Sequence, residues 1–150
     1  MRLIVSLLVC GLMSGCVISV DADGDDEYPE KRYISAGVNA PYSRAVWADE
    51  LLFVSGTLGT VPEQRGVVEG GIGPETLQAM QNISRTLADS GASMDDVVKC
   101  TVFLADMDEW GDMNRVYTTF FRDPPARSAV EVSRLALDAR VEIECIAFVD

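Results

Sequence analysis

Toward the C-terminus apolar and polar residues alternate with a period of two. In a strand successive side chains take opposite faces. Ser128, Val130 and Val132 therefore share one face of a strand, and Arg127, Ala129 and Glu131 share the other. After a short break Val141, Ile143, Cys145, Ala147 and Val149 line a second apolar face, with Glu142 and Glu144 opening the reverse side before Ile146 and Phe148. The two runs read as a hairpin whose apolar faces meet one core. That arrangement brings Arg127 together with the carboxylates on the opposite face. Ala129, Ile146 and Phe148 leave that charged face half apolar, so a partner subunit, a ligand or both are expected against it.

Upstream the period changes. Arg44–Trp47 and Leu51–Ser55 predict a strand pair turning at Ala48-Asp49-Glu50. Seven glycines and prolines from Gly56 to Gly73 mark a long loop region, with room for a short strand near Val67-Val68. Pro74 suits the first turn of a helix reaching about Ser90, where Leu77, Met80, Ile83 and Leu87 follow helical spacing and Gly91 ends it. Val97–Leu104 is a strand. Asp106 and Glu109 have the spacing of a capping box. The helix they open carries Trp110, Met113, Tyr117, Phe120 and Phe121, and Pro124-Pro125 stops it. The order β-β-(β)-α-β-α-β-β predicts an α+β domain, a mixed sheet with two helices on one face. The face without helices needs another cover, and oligomerisation supplies one.

The N-terminus adds an address. Arg2 precedes the apolar run Leu3–Val9, and Ser14-Gly15-Cys16 follows, as in an export signal. The ending resembles a bacterial lipobox with Cys16 as the lipidated residue, although Met13 is unusual in it; a plain cleaved signal is the rival. Residues 17–32 are dense in aspartate and glutamate and read as a disordered tether, leaving 33–150 as the domain. The expected destination is the periplasmic face of the outer membrane, with membrane contact only through the lipid. Net charge is −12, and removing Arg2 with residues 1–16 takes it to −13. Without a basic stripe, nucleic acid is not an expected partner. The chain has no histidine, which excludes Ser-His-Asp hydrolysis and most zinc sites. Cys100 and Cys145 each share a face with aliphatic residues. An exported protein permits a bridge between them, but strand geometry is often unsuitable, and free buried thiols are the expectation.

From about Ala40 to Phe148 the chain resembles the RidA/YjgF family of enamine/imine deaminases. The likeness is carried by Ala40-Pro41-Tyr42-Ser43, Phe53-Val54-Ser55-Gly56, Asp95–Leu104, Met113–Tyr117, Pro125-Ala126-Arg127-Ser128 and Val141-Glu142-Ile143-Glu144. The resemblance implies a chorismate-mutase-like α+β fold, homotrimers with sites between subunits, and hydrolysis of 2-aminoacrylate-derived imines to 2-keto acids and ammonia without cofactor or metal. It assigns Arg127 to the substrate carboxylate and Glu142 to proton transfer around the attacking water. Tyr42, Ser55, Gly56 and Asn114 fall on pocket positions, and Ala129 on one that contributes its backbone carbonyl. Thr57 and Ala129 stand where the family often has glutamine and cysteine, and Thr57 is expected to alter substrate size or preference. Besides a deaminase acting on small 2-imino acids, a non-catalytic trimeric binder of small carboxylates uses the same arginine. A ribonuclease or translation inhibitor is disfavoured by the acidic charge and the missing histidine.

Overall fold

The computed structural model describes residues 30–62 and 64–150. The leader, Cys16 and the tether up to residue 29 lie outside the described residues. Six strands, β1 (Lys31–Ser35), β2 (Ser43–Ala48), β3 (Leu51–Leu58), β4 (Val97–Leu104), β5 (Ala126–Glu131) and β6 (Val141–Phe148), form one sheet in the order β1-β2-β3-β6-β4-β5. Lys31 and Arg32, expected at the end of the tether, begin β1, which pairs antiparallel with β2. The turn between β2 and β3 falls where expected, with Asp49 at φ 52 in the left-handed region. The Val67 strand shrinks to a single bridge with Thr60.

Helix α1 (Ile72–Ser90) packs on β3 and β6 and against α2 (Trp110–Tyr117). Its Met80, Ile83 and Leu87 are fully buried, whereas Leu77 is largely exposed on the flank of the same stripe. Gly91, at φ 90, closes the helix by turning its N–H back to Ala88 O, a geometry that suits a residue without Cβ. The Asp106 carboxylate accepts from Asp108 N–H. Glu109 does not return to complete a box but pairs with Arg140. The reciprocal box forms instead at Ser93 and Asp96, just before β4.

The expected hairpin of β5 and β6 does not form. β6 lies between β3 and β4, antiparallel to both, and β5 pairs parallel with β4 at the sheet edge. The cause is the helix between β4 and β5. A β-α-β crossover returns the chain parallel to the strand it left, and the segment 132–140 then carries it past β4. The new partner reverses the faces of β5: Arg127 and Ala129 align with Cys100 and Val102 on the helix side, and Ser128 and Val130 with Thr101 and Phe103 on the other. For β6 the expected faces hold, with Val141, Ile143, Cys145 and Ala147 buried.

Cys100 and Cys145 are bridged, contrary to the expectation of free thiols. They sit directly opposite each other on β4 and β6 with Cα atoms 4.1 Å apart. The closer of the two antiparallel pair types brings Cα atoms to about 4.5 Å, short enough for the sulfurs to meet inside the core. Among the described residues no helix covers the reverse face, where Phe53, Val130 and Phe148 are each more than 40% exposed.

Candidate functional site

The first half of the site is built where β2 ends and β3 runs on. β2 pairs with β3 only as far as Ala45 opposite Val54, and the β3–β6 register slips between Val54 and Thr57. Ser55 and Gly56 occupy this irregularity beside a cleft of about 810 Å³. Tyr42, Ser55, Gly56 and Glu142 all line it, together with Arg44, Thr57, Asn82 and Arg85. Ser55 Oγ donates to Ser43 O at 2.7 Å, so its lone pairs are what it can offer a ligand. Thr57 Oγ1 donates to Ser55 O at 2.8 Å. The Glu142 carboxylate lies directly over Gly56: an added Cβ would fall 2.0 Å from Oε1. Burial pushes the Glu142 carboxyl above its ordinary value, and the negative charge of Glu144 adds to the rise. A carboxyl so raised stands nearer to exchanging protons at neutral pH.

The second half belongs to the opposite face of the sheet. Arg127 Nη1 donates to Asn114 Oδ1 at 2.6 Å. Its guanidinium lies 4.8 Å from the Tyr117 ring centroid and 5.8 Å from that of Trp110, within cation–π range. The group is thus fixed by three side chains of α2. No carboxylate lies within ion-pair distance of it among the described residues. A planar cation held in place without a carboxylate partner can grip a ligand carboxylate through two parallel hydrogen bonds. Ala129 is half-buried on the same face, next to Val102.

Within one chain the expected convergence of Arg127 with Glu142 and Glu144 is therefore overturned. Glu142 and Glu144 sit opposite Phe103 and Thr101 on the uncovered face, whereas Arg127 and Asn114 belong to the helix side. Asn114 serves Arg127 and not the cleft.

The sequence places Trp110 and Tyr117 only along the helix that Pro124-Pro125 stops, and their hold on Arg127 has no local signature. Tyr117 is 3% exposed with a hydroxyl lacking a partner among the described residues, and desolvation pushes its pKa up to about 12. Glu75 was also missed. Its carboxylate is 4% exposed and accepts from Arg140 N–H at 2.8 Å. It thereby anchors the turn containing Leu137, at φ 59, which lines the cleft four residues upstream of β6. Among the described residues no cluster of three or more acidic or thiol side chains is placed to hold a metal ion.

The profile of the family described as endoribonuclease L-PSP matches residues 34–149. A RutC family protein of Pyrococcus horikoshii is 44% identical over 109 residues, covering 72% of this chain and 86% of that protein. The mouse 2-iminobutanoate/2-iminopropanoate deaminase is 43% identical over 108 residues, covering 71% and 80%. Among solved structures, E. coli TdcF with bound serine superposes with a TM-score of 0.71 at 30% identity, covering 76% of this chain and 92% of that one.

Proposed function

The chain belongs to the endoribonuclease L-PSP family, also called RidA/YjgF, and on that premise we propose that it hydrolyses 2-imino acids to 2-keto acids and ammonia at sites shared between copies of itself. The observation that carries the reading is the division of the site. A carboxylate clamp without an acidic partner lies on one sheet face, and a raised carboxyl in a cleft lies on the other. Among the described residues the clamp has no carboxyl within ion-pair distance to move a proton, and Arg127 is not among the residues that line the Glu142 cleft. A cyclic assembly that docks the β5 edge of one copy against the β3–β6 cleft of the next completes a site at every interface. The exposed Phe53, Val130 and Phe148 supply apolar surface for that contact, and a homotrimer is the assembly proposed.

Little chemistry is then required. Arg127 holds the substrate carboxylate, which sets the imine carbon beside a water at Glu142. Glu142 takes a proton from the water as its oxygen adds to the imine carbon, and passes that proton to the imine nitrogen. In the resulting carbinolamine the hydroxyl proton passes by way of Glu142 to the amino nitrogen, the C–N bond breaks to release ammonia, and the C=O of the keto acid forms. Tyr42, Ser55 and Gly56 shape the wall of the cleft. The mouse relative's name describes this activity, and the E. coli relative holds serine, a small amino acid.

The site of action proposed is outside the cytoplasm, with Cys16 as the lipid anchor on the periplasmic face of the outer membrane. The bridged Cys100 and Cys145 support export, because such bonds persist in oxidising compartments.

The test generates 2-iminobutanoate with a threonine dehydratase and follows its loss against trapping by semicarbazide, alongside light scattering. Faster loss with protein, at three times the monomer mass, is expected. Binding of 2-oxobutanoate without turnover would leave a carboxylate-binding protein. A monodisperse monomer that still turns over would remove the shared site.

A further inference from the structure

In a single copy the Glu142 cleft measures about 810 Å³, part of which the β5 edge of the next copy takes up in the proposed assembly. What else the cleft receives is suggested by the wall that α1 presents. Asn82, Arg85 and Thr86 recur there at helical spacing. The amide of Asn82 is committed to structure, donating to Leu58 O at 3.1 Å and Thr60 O at 2.9 Å. Those bonds tie α1 to the end of β3 and fix the next turn, with Arg85, at the rim of the cleft.

Arg85 has no carboxylate within ion-pair distance among the described residues. Arg44, on the same cleft, pairs with Asp89 at 3.0 Å, and its Nε–H is buried without an acceptor among the described residues. An unpaired buried donor is uncommon in a folded protein and marks a group with hydrogen-bonding capacity to spare. Glu142 also lines this cleft, and with Arg44 taken up by Asp89 it is Arg85 that stands without an ion pair among the described residues.

We infer that the Arg44–Arg85 wall receives a second carboxylate, so that the preferred substrates are 2-imino acids with an acidic side chain. The inference rests on the deaminase reading for its reaction and adds the substrate class. Arg127 would hold the carboxylate next to the imine carbon, and the α1 wall the distal one. The reaction is unchanged, with water consumed and ammonia released. Thr57, which lines the same cleft, turns its hydroxyl back to Ser55 O.

The experiment compares two imines made in situ by amino-acid oxidases with catalase present, one from glutamate and one from 2-aminobutanoate. The intact protein is expected to show kcat/KM at least about tenfold higher for the glutamate-derived imine, the scale of one charge-assisted contact. Arg85→Ala should bring the two values to about parity, changing the 2-aminobutanoate-derived rate less than about threefold, and Arg85→Lys should recover part of the difference. Equal rates in wild type, or an equal fall for both imines in Arg85→Ala, would overturn the inference while leaving the deaminase reading intact. If neither imine is turned over, the deaminase reading fails, and calorimetry of 2-oxoglutarate against 2-oxobutanoate judges the wall alone. Tighter binding of 2-oxoglutarate that is lost in Arg85→Ala supports it; equal binding overturns it.

Discussion

Gly56→Ala tests the position of Glu142 without altering Glu142. An ideal Cβ on Gly56 would fall 2.0 Å from Oε1, 3.0 Å from Cδ and 3.3 Å from Cγ of that side chain. Ordinary contact begins at 3.4 Å, so the oxygen must retreat by about 1.4 Å, the difference between 3.4 and 2.0. The retreating atoms are the end of a flexible side chain, and Gly56 is exposed with no positive φ. The fold should therefore absorb the change, within about 1 kcal/mol, part of it offset by the stiffer unfolded chain. Activity should not absorb it. Misplacement of a reacting group by about 1 Å can reduce rate by about 10²-fold, and a loss of that order in kcat is expected in the semicarbazide competition assay. Affinity for a keto-acid product, held by Arg127, should change little. Combining Gly56→Ala with Glu142→Gln should give less than the sum of the two losses, because both act on one group. Wild-type kcat in a folded Gly56→Ala protein would refute the reasoning, since a displaced carboxylate could not then be the proton-transfer group.

Glu142→Gln itself should lower kcat by roughly 10²–10⁴. Its stability profile carries a sign as well: a carboxyl raised above 4.5 in the fold contributes stability that is fully present at low pH and lost as pH rises through the raised value. Denaturant unfolding from about pH 4 to pH 8 should accordingly show a flatter decline in the glutamine variant than in wild type; identical profiles would contradict the burial of this group. Arg127→Ala should reduce kcat/KM by about two to three powers of ten, and Asn114→Ala, which only frees the guanidinium, by about one; equal losses would mean that Asn114 meets substrate itself. Replacing Cys100 and Cys145 together by alanine opens a link across a sequence separation of 45 and should destabilise the domain by about 2–4 kcal/mol, read from denaturant midpoints. An unchanged midpoint would mean that the bridge adds nothing to the fold.

Much of the domain was determined by its local sequence. The 3.6-residue recurrence of Met80, Ile83 and Leu87, and the alternation of Val141, Ile143, Cys145 and Ala147, each specify an element and its buried face with no knowledge of neighbours. The motifs around Tyr42, Ser55, Arg127 and Glu142 likewise disclosed the family before any geometry was known. Alternation could not say which strand β5 would join. Its two faces differ little in polarity, and a change of partner exchanges them as a slip of one residue does. Only the crossover through α2 turned Arg127 toward Asn114, Tyr117 and Trp110. The same limit hid the disulfide, because Cys100 and Cys145 are 45 residues apart in the chain and become neighbours only when β6 inserts between β3 and β4. It also hid the dependence of Glu142 on the missing Cβ of Gly56. Periodicity reports which way a side chain faces relative to its own strand. Which groups meet there is set by pairings between distant segments, and those form only when the whole chain packs.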